Sequence, residues 1–172
     1  MNLDAQWIAG FTDGEGCFHI EFNKNETMTT GYAILPTFVV SQHARSEAVL
    51  YALKDYFKTG VVRQESKQNS KQSMRQYRVR NVRDLQTIIV PFFEKHSLKT
   101  TKKIDFLKFR YILCCIERKE HLTIEGVQKI YKIASTMNNA SKVGRIPRKA
   151  LDFTQSQSSP VPKTTSCFGE PN

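Results

Sequence analysis

One short run constrains this chain more than any other: Trp7, Ile8, Ala9, Gly10, Phe11, Thr12, Asp13, Gly14, Glu15 and Gly16 in succession. Residues 4–12 read as a helix, with Asp4 or Asn2 as its N-cap and the apolar Trp7, Ile8 and Phe11 spread round it. The helix is expected to stop at the glycines, and Phe18, Ile20 and Phe22 then alternate with polar or small neighbours over residues 17–23, the pattern of a strand with one wet face. Gly14 and Gly16 let the chain turn sharply and leave the Glu15 carboxylate at the helix end, beside the start of that strand. Ala9 and Gly10 are small, so a second helix can approach closely on that face. A helix-interior glycine costs about 1 kcal/mol against Ala, which close helix contact would offset.

Periodicity organises the rest. Residues 32–42 alternate as a second strand, with Ile34, Phe38 and Val40 on one side and Thr37, Val39 and Ser41 on the other. Val49, Leu50, Leu53, Tyr56 and Phe57 recur at helical steps over residues 46–57, with Gly60 as the stop. Residues 61–65 and 75–80 read as a strand pair joined by a polar loop at 66–73, and residues 84–93, 102–115 and 123–137 carry helical periodicity. This order predicts an α+β domain with an antiparallel sheet over residues 1–138. Residues 139–172 turn to Ser, Thr, Gln, Pro and Lys and are expected to form a flexible C-terminal extension.

The chain of 172 residues carries 26 Lys and Arg against 16 acids, a formal net charge of +10, the balance of a protein that meets polyanions. Lys58, Arg63, Lys67, Lys71, Arg75, Arg78, Arg80 and Arg83 face only Glu65 across one stretch. Alternation puts Val61, Arg63 and Glu65 on the side opposite Val62, and Gln76, Arg78 and Arg80 opposite Tyr77 and Val79, so one face is basic and the other apolar. Such a ribbon fits the major groove, where Arg reads guanine and Gln or Asn reads adenine. The first hairpin would add Cys17, His19, Glu21 and Asn23, with Ala33, Leu35, Thr37, Val39 and Ser41 on the neighbouring strand. A solvated basic surface is the plainer reading of the same residues.

Other classes find less support. No apolar run approaches the roughly 18 residues of a membrane span, and the region after Met1 has neither a signal-peptide core nor an Arg-rich transit helix, so a water-soluble chain is expected. Cys17, Cys114, Cys115 and Cys167 form no CxxC pair, and His43, His96 and His121 have no ligand-like spacing, so neither a disulfide scaffold nor zinc is implied.

The run from Trp7 to Phe18 resembles the signature element of the LAGLIDADG homing endonucleases, as do Leu98 to Phe106 and Lys119 to Thr123; the resemblance covers roughly residues 3–138. It implies a four-stranded antiparallel DNA-binding sheet with helices packed on its other face. It further implies that Glu15 binds a divalent metal such as Mg²⁺, together with Gly14, and that Gln42 orders water near it. Lys102 corresponds to a lysine that reaches the active site, though Lys99 and Lys103 flank it closely. Asp13 corresponds to a position that is often acidic but structural. Ala9, Gly10 and Asp13 are expected at a helix interface between two copies, because only one signature element is present. The implied activity is double-strand cleavage of a long, near-palindromic DNA site by a homodimer, in an organelle (mitochondrion or chloroplast) and in service of intron homing. The motifs are closest to one half of two-motif family members, so a detached half with another partner stays open, as do an RNA maturase and a non-cleaving DNA-binding protein.

Overall fold

The Asp4 carboxylate caps the first helix, accepting the backbone N–H groups of Gln6 and Trp7 at 2.8 and 3.1 Å. The computed structural model describes residues 1–64 and 73–138; the expectations for Glu65, for residues 66–72 and for the extension at 139–172 lie outside the described residues. Helix α1 (Ala5–Glu15) continues through Gly14 to Glu15, past the expected end at residue 12. Ile8, Ala9 and Thr12 are buried beneath it, and this packing holds the last turn against the helix-breaking tendency of Gly14. The reversal comes at Gly16 instead, where a Cβ would lie 2.5 Å from Thr12 Cγ2 and 2.8 Å from the Thr12 carbonyl oxygen, so only glycine fits between helix and strand.

Strands β1 (Gly16–Lys24) and β2 (Tyr32–His43) form the expected hairpin. A short 3-10 turn takes up the start of the expected helix and leads into α2 (Ala48–Phe57), which ends at the expected Phe57. Lys58 takes the left-handed conformation at φ 54° and its N–H closes on the Lys54 carbonyl, a helix cap more often built on glycine. Strands β3 (Val61–Gln64) and β4 (Met74–Val79) pair with each other, and β4 also pairs with β2, giving one antiparallel sheet in the order β1-β2-β4-β3.

The expected helix at 84–93 is a longer, interrupted one: α3 (Val82–Asp84) passes through a π-helical turn (Leu85–Ile89) into α4 (Val90–Lys95). Pro91 has no N–H to return to the Thr87 carbonyl, which loosens the α register just before it. Helix α5 (Lys102–Glu117) follows, then α6 (Ile124–Ala134), which is capped by Thr123 and gives way to turns before the expected end at 137.

The described helices cover one side of the sheet, and the core lies between. Phe18 is its centre, stacked on Phe38 at 5.0 Å between ring centroids, with Phe93, Phe106 and Phe109 each at 5.4 Å. Burying rings of this size supplies roughly 2–3 kcal/mol apiece, before the cost of ordering them. Among the described residues no helix packs across the sheet's other face.

Candidate active site and nucleic-acid interface

Helix α1 ends with carbonyls that have no helical partners, at the negative end of its dipole, and no basic residue sits in its last turn. Gly14 and Glu15 are both exposed there. Positive charge arrives from elsewhere in the chain: the Lys102 ammonium, on the first residue of α5, donates to the Gly16 carbonyl oxygen. What delivers it is a tether that the sequence did not suggest. Asp13 accepts the Lys99 N–H at 2.7 Å, the Thr100 N–H at 3.3 Å and the Thr100 hydroxyl at 2.8 Å, and Thr100 Oγ1 in turn accepts the Lys102 N–H at 3.2 Å. Partial burial works to raise the Asp13 carboxyl, but these three hydrogen bonds and the Lys102 charge outweigh it and leave the group below its ordinary value.

Gln42 lies beyond Val40, which faces Gly16 across the hairpin, and shares its parity; it therefore stands on the helix-bearing side. Among the described residues no hydrogen bond joins it to Glu15 or Lys102.

Two of the three expected interface residues point elsewhere. Ala9 is only 4% exposed and is packed into its own core, and Asp13 is committed to the loop before α5. Both ends of the small-residue pattern looked alike in sequence, and burial of Ile8 and Thr12 decides which side turns inward. The open side carries Gly10 and Gly14, where an added Cβ would meet nothing within 4 Å, and Trp7, stacked on Phe11 at 4.7 Å.

Strand register gathers the expected groove-facing residues on the helix-free side. Cys17 faces Val39, His19 faces Thr37, Glu21 faces Leu35 and Asn23 faces Ala33; Ser41 faces Gln76, Val39 also faces Arg78, and Arg78 and Gln76 face Val61 and Arg63. Thr37 and Val39 are corrections in one respect: they are 0% and 8% exposed, and so are not open contact points. Glu21 is the hub above them, accepting Arg80 Nη2 at 2.5 Å, with His19 Nε2 at 3.2 Å and Arg78 Nη2 at 3.8 Å. Burial works to raise Glu21, but its bonds to His19 and Arg80 outweigh that and hold the carboxyl below the ordinary value. Burial lowers His19, with Arg78 and Arg80 pushing the same way against the pull of Glu21. Sequence reasoning also missed Glu47, which holds Arg75 at 3.0 Å, and Asn138, whose Nδ2 donates to the Phe18 carbonyl on the edge strand at 2.7 Å.

A basic open sheet face and an exposed carboxylate at the end of a helix with an open glycine face define a class. Residues 8–113 match the LAGLIDADG endonuclease family, and the chain belongs to that family. It is 30% identical over 137 residues to the probable intron-encoded endonuclease 2 of Neurospora crassa, covering 79% of this chain and 29% of that protein. The homing endonuclease I-TnaI superimposes with a TM-score of 0.74 at 48% identity, over 80% of this chain and 90% of that one. I-SmaMI, solved on an uncleaved DNA target in the presence of calcium ions, gives a TM-score of 0.77 at 31% identity, over 94% of this chain and 52% of that one. Both share the four-stranded antiparallel sheet backed by helices. The chain spans only 24% to 29% of the length of the first curated relatives.

Proposed function

We propose that this chain is a site-specific, metal-dependent DNA endonuclease that cuts both strands of a long, near-palindromic site as a homodimer. The observation that carries the reading is the pairing of one exposed carboxylate, Glu15, with an open glycine face on the same helix. The neighbouring Asp13 carboxylate is taken up by Lys99 and Thr100, so at this helix end one copy offers the Glu15 carboxylate alone. Gly10 and Gly14 lie four residues apart, on one side of α1. Packing that side against its counterpart in a second copy would bring two Glu15 carboxylates together beneath one continuous sheet surface.

Hard divalent cations take oxygen ligands, and the Glu15 carboxylate with the Gly14 carbonyl, at the negative end of a helix, fits that donor chemistry. A bound Mg²⁺ would make water nucleophilic at neutral pH and stabilise charge on the phosphate. Lys102 holds its ammonium beside the same helix end, where it would stabilise charge developing on the scissile phosphate, and Gln42 would order water nearby. The helix-free face would lie in the major groove, with Arg63 and Arg78 among the side chains directed at it. Intron-encoded relatives support an organellar intron as the source of such a chain.

The test is selection of bound duplexes from a randomised library, followed by Mg²⁺, with Glu15→Gln in parallel. Near-palindromic winners cut by the wild type and only bound by Glu15→Gln are expected; winners that are never cut would overturn nuclease function. A second reading, one half of a two-motif enzyme, rests on the chain's matching 52% of I-SmaMI. It predicts a monomer in sedimentation and single, asymmetric half-sites.

A further inference from the structure

The ion-pair hub on the open sheet face has an unusual span. Strands β1 and β4 are not neighbours, because β2 lies between them. A side chain based on β4 therefore reaches Glu21 on β1 only by lying flat across β2, about 10 Å of sheet. Arg78 does this, with its side chain only 11% exposed. On the intervening strand Val39 and Thr37 are buried, and the Thr37 hydroxyl has no hydrogen-bond partner among the described residues. Arg80, just past the end of β4, also bonds to Glu21 but stays 39% exposed.

Both carboxylate oxygens of Glu21 are engaged within the chain. Oε1 faces His19 and Arg78, and Oε2 takes Arg80. A carboxylate that reads DNA does so by accepting from the cytosine amino group, whereas this one, 32% exposed, has each oxygen drawn to a cationic or imidazole partner of its own chain. Arginine has five donors in a rigid planar fork, so Arg80 keeps most of its donors after serving Glu21. A guanidinium braced by a carboxylate loses less freedom when it then meets a guanine edge.

Resting on the endonuclease reading above, we infer that Glu21 is a specificity-determining positioning residue that does not itself touch DNA: it braces Arg80 as a guanine reader and pins Arg78 flat across β2. Guanine preference opposite this part of the sheet thus depends on a carboxylate one strand beyond its nearest neighbour.

The experiment is library selection with the full chain as wild type, Glu21→Gln, Glu21→Asp, Arg80→Ala and the Glu21→Gln/Arg80→Ala double variant, each with a melting curve. Arg80→Ala should lose roughly tenfold or more of the discrimination at one guanine per half-site. Glu21→Gln should weaken preference at that same base pair, Glu21→Asp should restore part of it, and the double variant should be no worse than Arg80→Ala alone. Should Glu21→Gln melt poorly, Glu21→Asp still reports a partial loss at that base pair. A Glu21→Gln profile that exchanges cytosine for adenine at a different base pair, costs that add in the double variant, or a profile unchanged from wild type would each overturn the inference while leaving endonuclease function intact. A wild type that selects no sequence would overturn that function and this inference with it.

Discussion

The Asp13 carboxylate accepts the Thr100 hydroxyl at 2.8 Å across 87 positions of chain, and through Thr100 it fixes the start of the helix that carries Lys102. Asp13, the acid just before Gly14, therefore acts on its own chain, as a cap for the loop before α5. Asp13→Ala is expected to cost roughly 1 kcal/mol of stability, as loss of a helix cap does. Cleavage should slow several-fold while DNA affinity changes little, because Lys102 is loosened rather than removed; single-turnover cleavage beside equilibrium binding checks this.

The same contact has a pH signature. Asp13 sits below the ordinary aspartate value of 3.8 in the folded chain, so its contribution is complete above that value and is lost as pH falls through the lower folded one. The melting-temperature gap between wild type and Asp13→Asn should be constant near neutrality and close only below about pH 4. A gap that persists into strong acid would mean that the hydrogen bonds do not need the charge.

Lys102→Met tests the ammonium beside Gly16. Cleavage should fall by more than tenfold with target binding retained, the signature of charge stabilisation lost from the chemical step. Lys99→Met and Lys103→Met should leave cleavage nearly unchanged, since neither ammonium donates to the end of α1 among the described contacts.

Much of this was legible in sequence, and what was missed has physical causes. Alternation of Phe18, Ile20 and Phe22 gave the core face of β1 correctly because a one-residue slip would expose all three. The end of α1 was missed because local propensity counts Gly14 as a breaker, whereas the buried Ile8 and Thr12 hold the turn from the far side. Ala9 and Gly10 are equally small, and only tertiary burial tells which faces out. Thr37 and Val39 have the right parity for a groove surface; their burial is set by tertiary packing on that face, which no local pattern records.

Gly10→Ala separates folding from assembly. Nothing lies within 4 Å of a Cβ at this position, so the substitution should stabilise α1 by up to about 1 kcal/mol in the isolated chain. It should also weaken the proposed helix-to-helix dimer, read as a raised dissociation constant in sedimentation. Higher melting temperature with unchanged self-association would remove this face from the interface.

Gly126→Ala makes the opposite case within the fold. A Cβ there would stand 1.8 Å from the Glu120 carbonyl oxygen, backbone that is itself held by the Thr123 N–H, so the start of α6 must shift. A loss of about 1–3 kcal/mol is expected by chemical denaturation, as for other overpacked sites. Cleavage by the fraction that remains folded should be near normal.

Arg63 offers a measure of both DNA contact and stoichiometry. It stands on β3 opposite Gln76, on the open sheet face. Each phosphate neutralised releases counterions and adds about 0.9 to the slope of log affinity against log salt concentration. If Arg63 meets phosphate, Arg63→Ala should lower that slope by about 0.9 per bound copy, and therefore by about 1.8 for a homodimer on a full site. A decrement near 0.9 on the full site would count one copy, favouring the two-motif-half reading. If instead Arg63 reads a base, its substitution should relax preference at one base pair per half-site, which the salt slope alone would not reveal but the selection profile would.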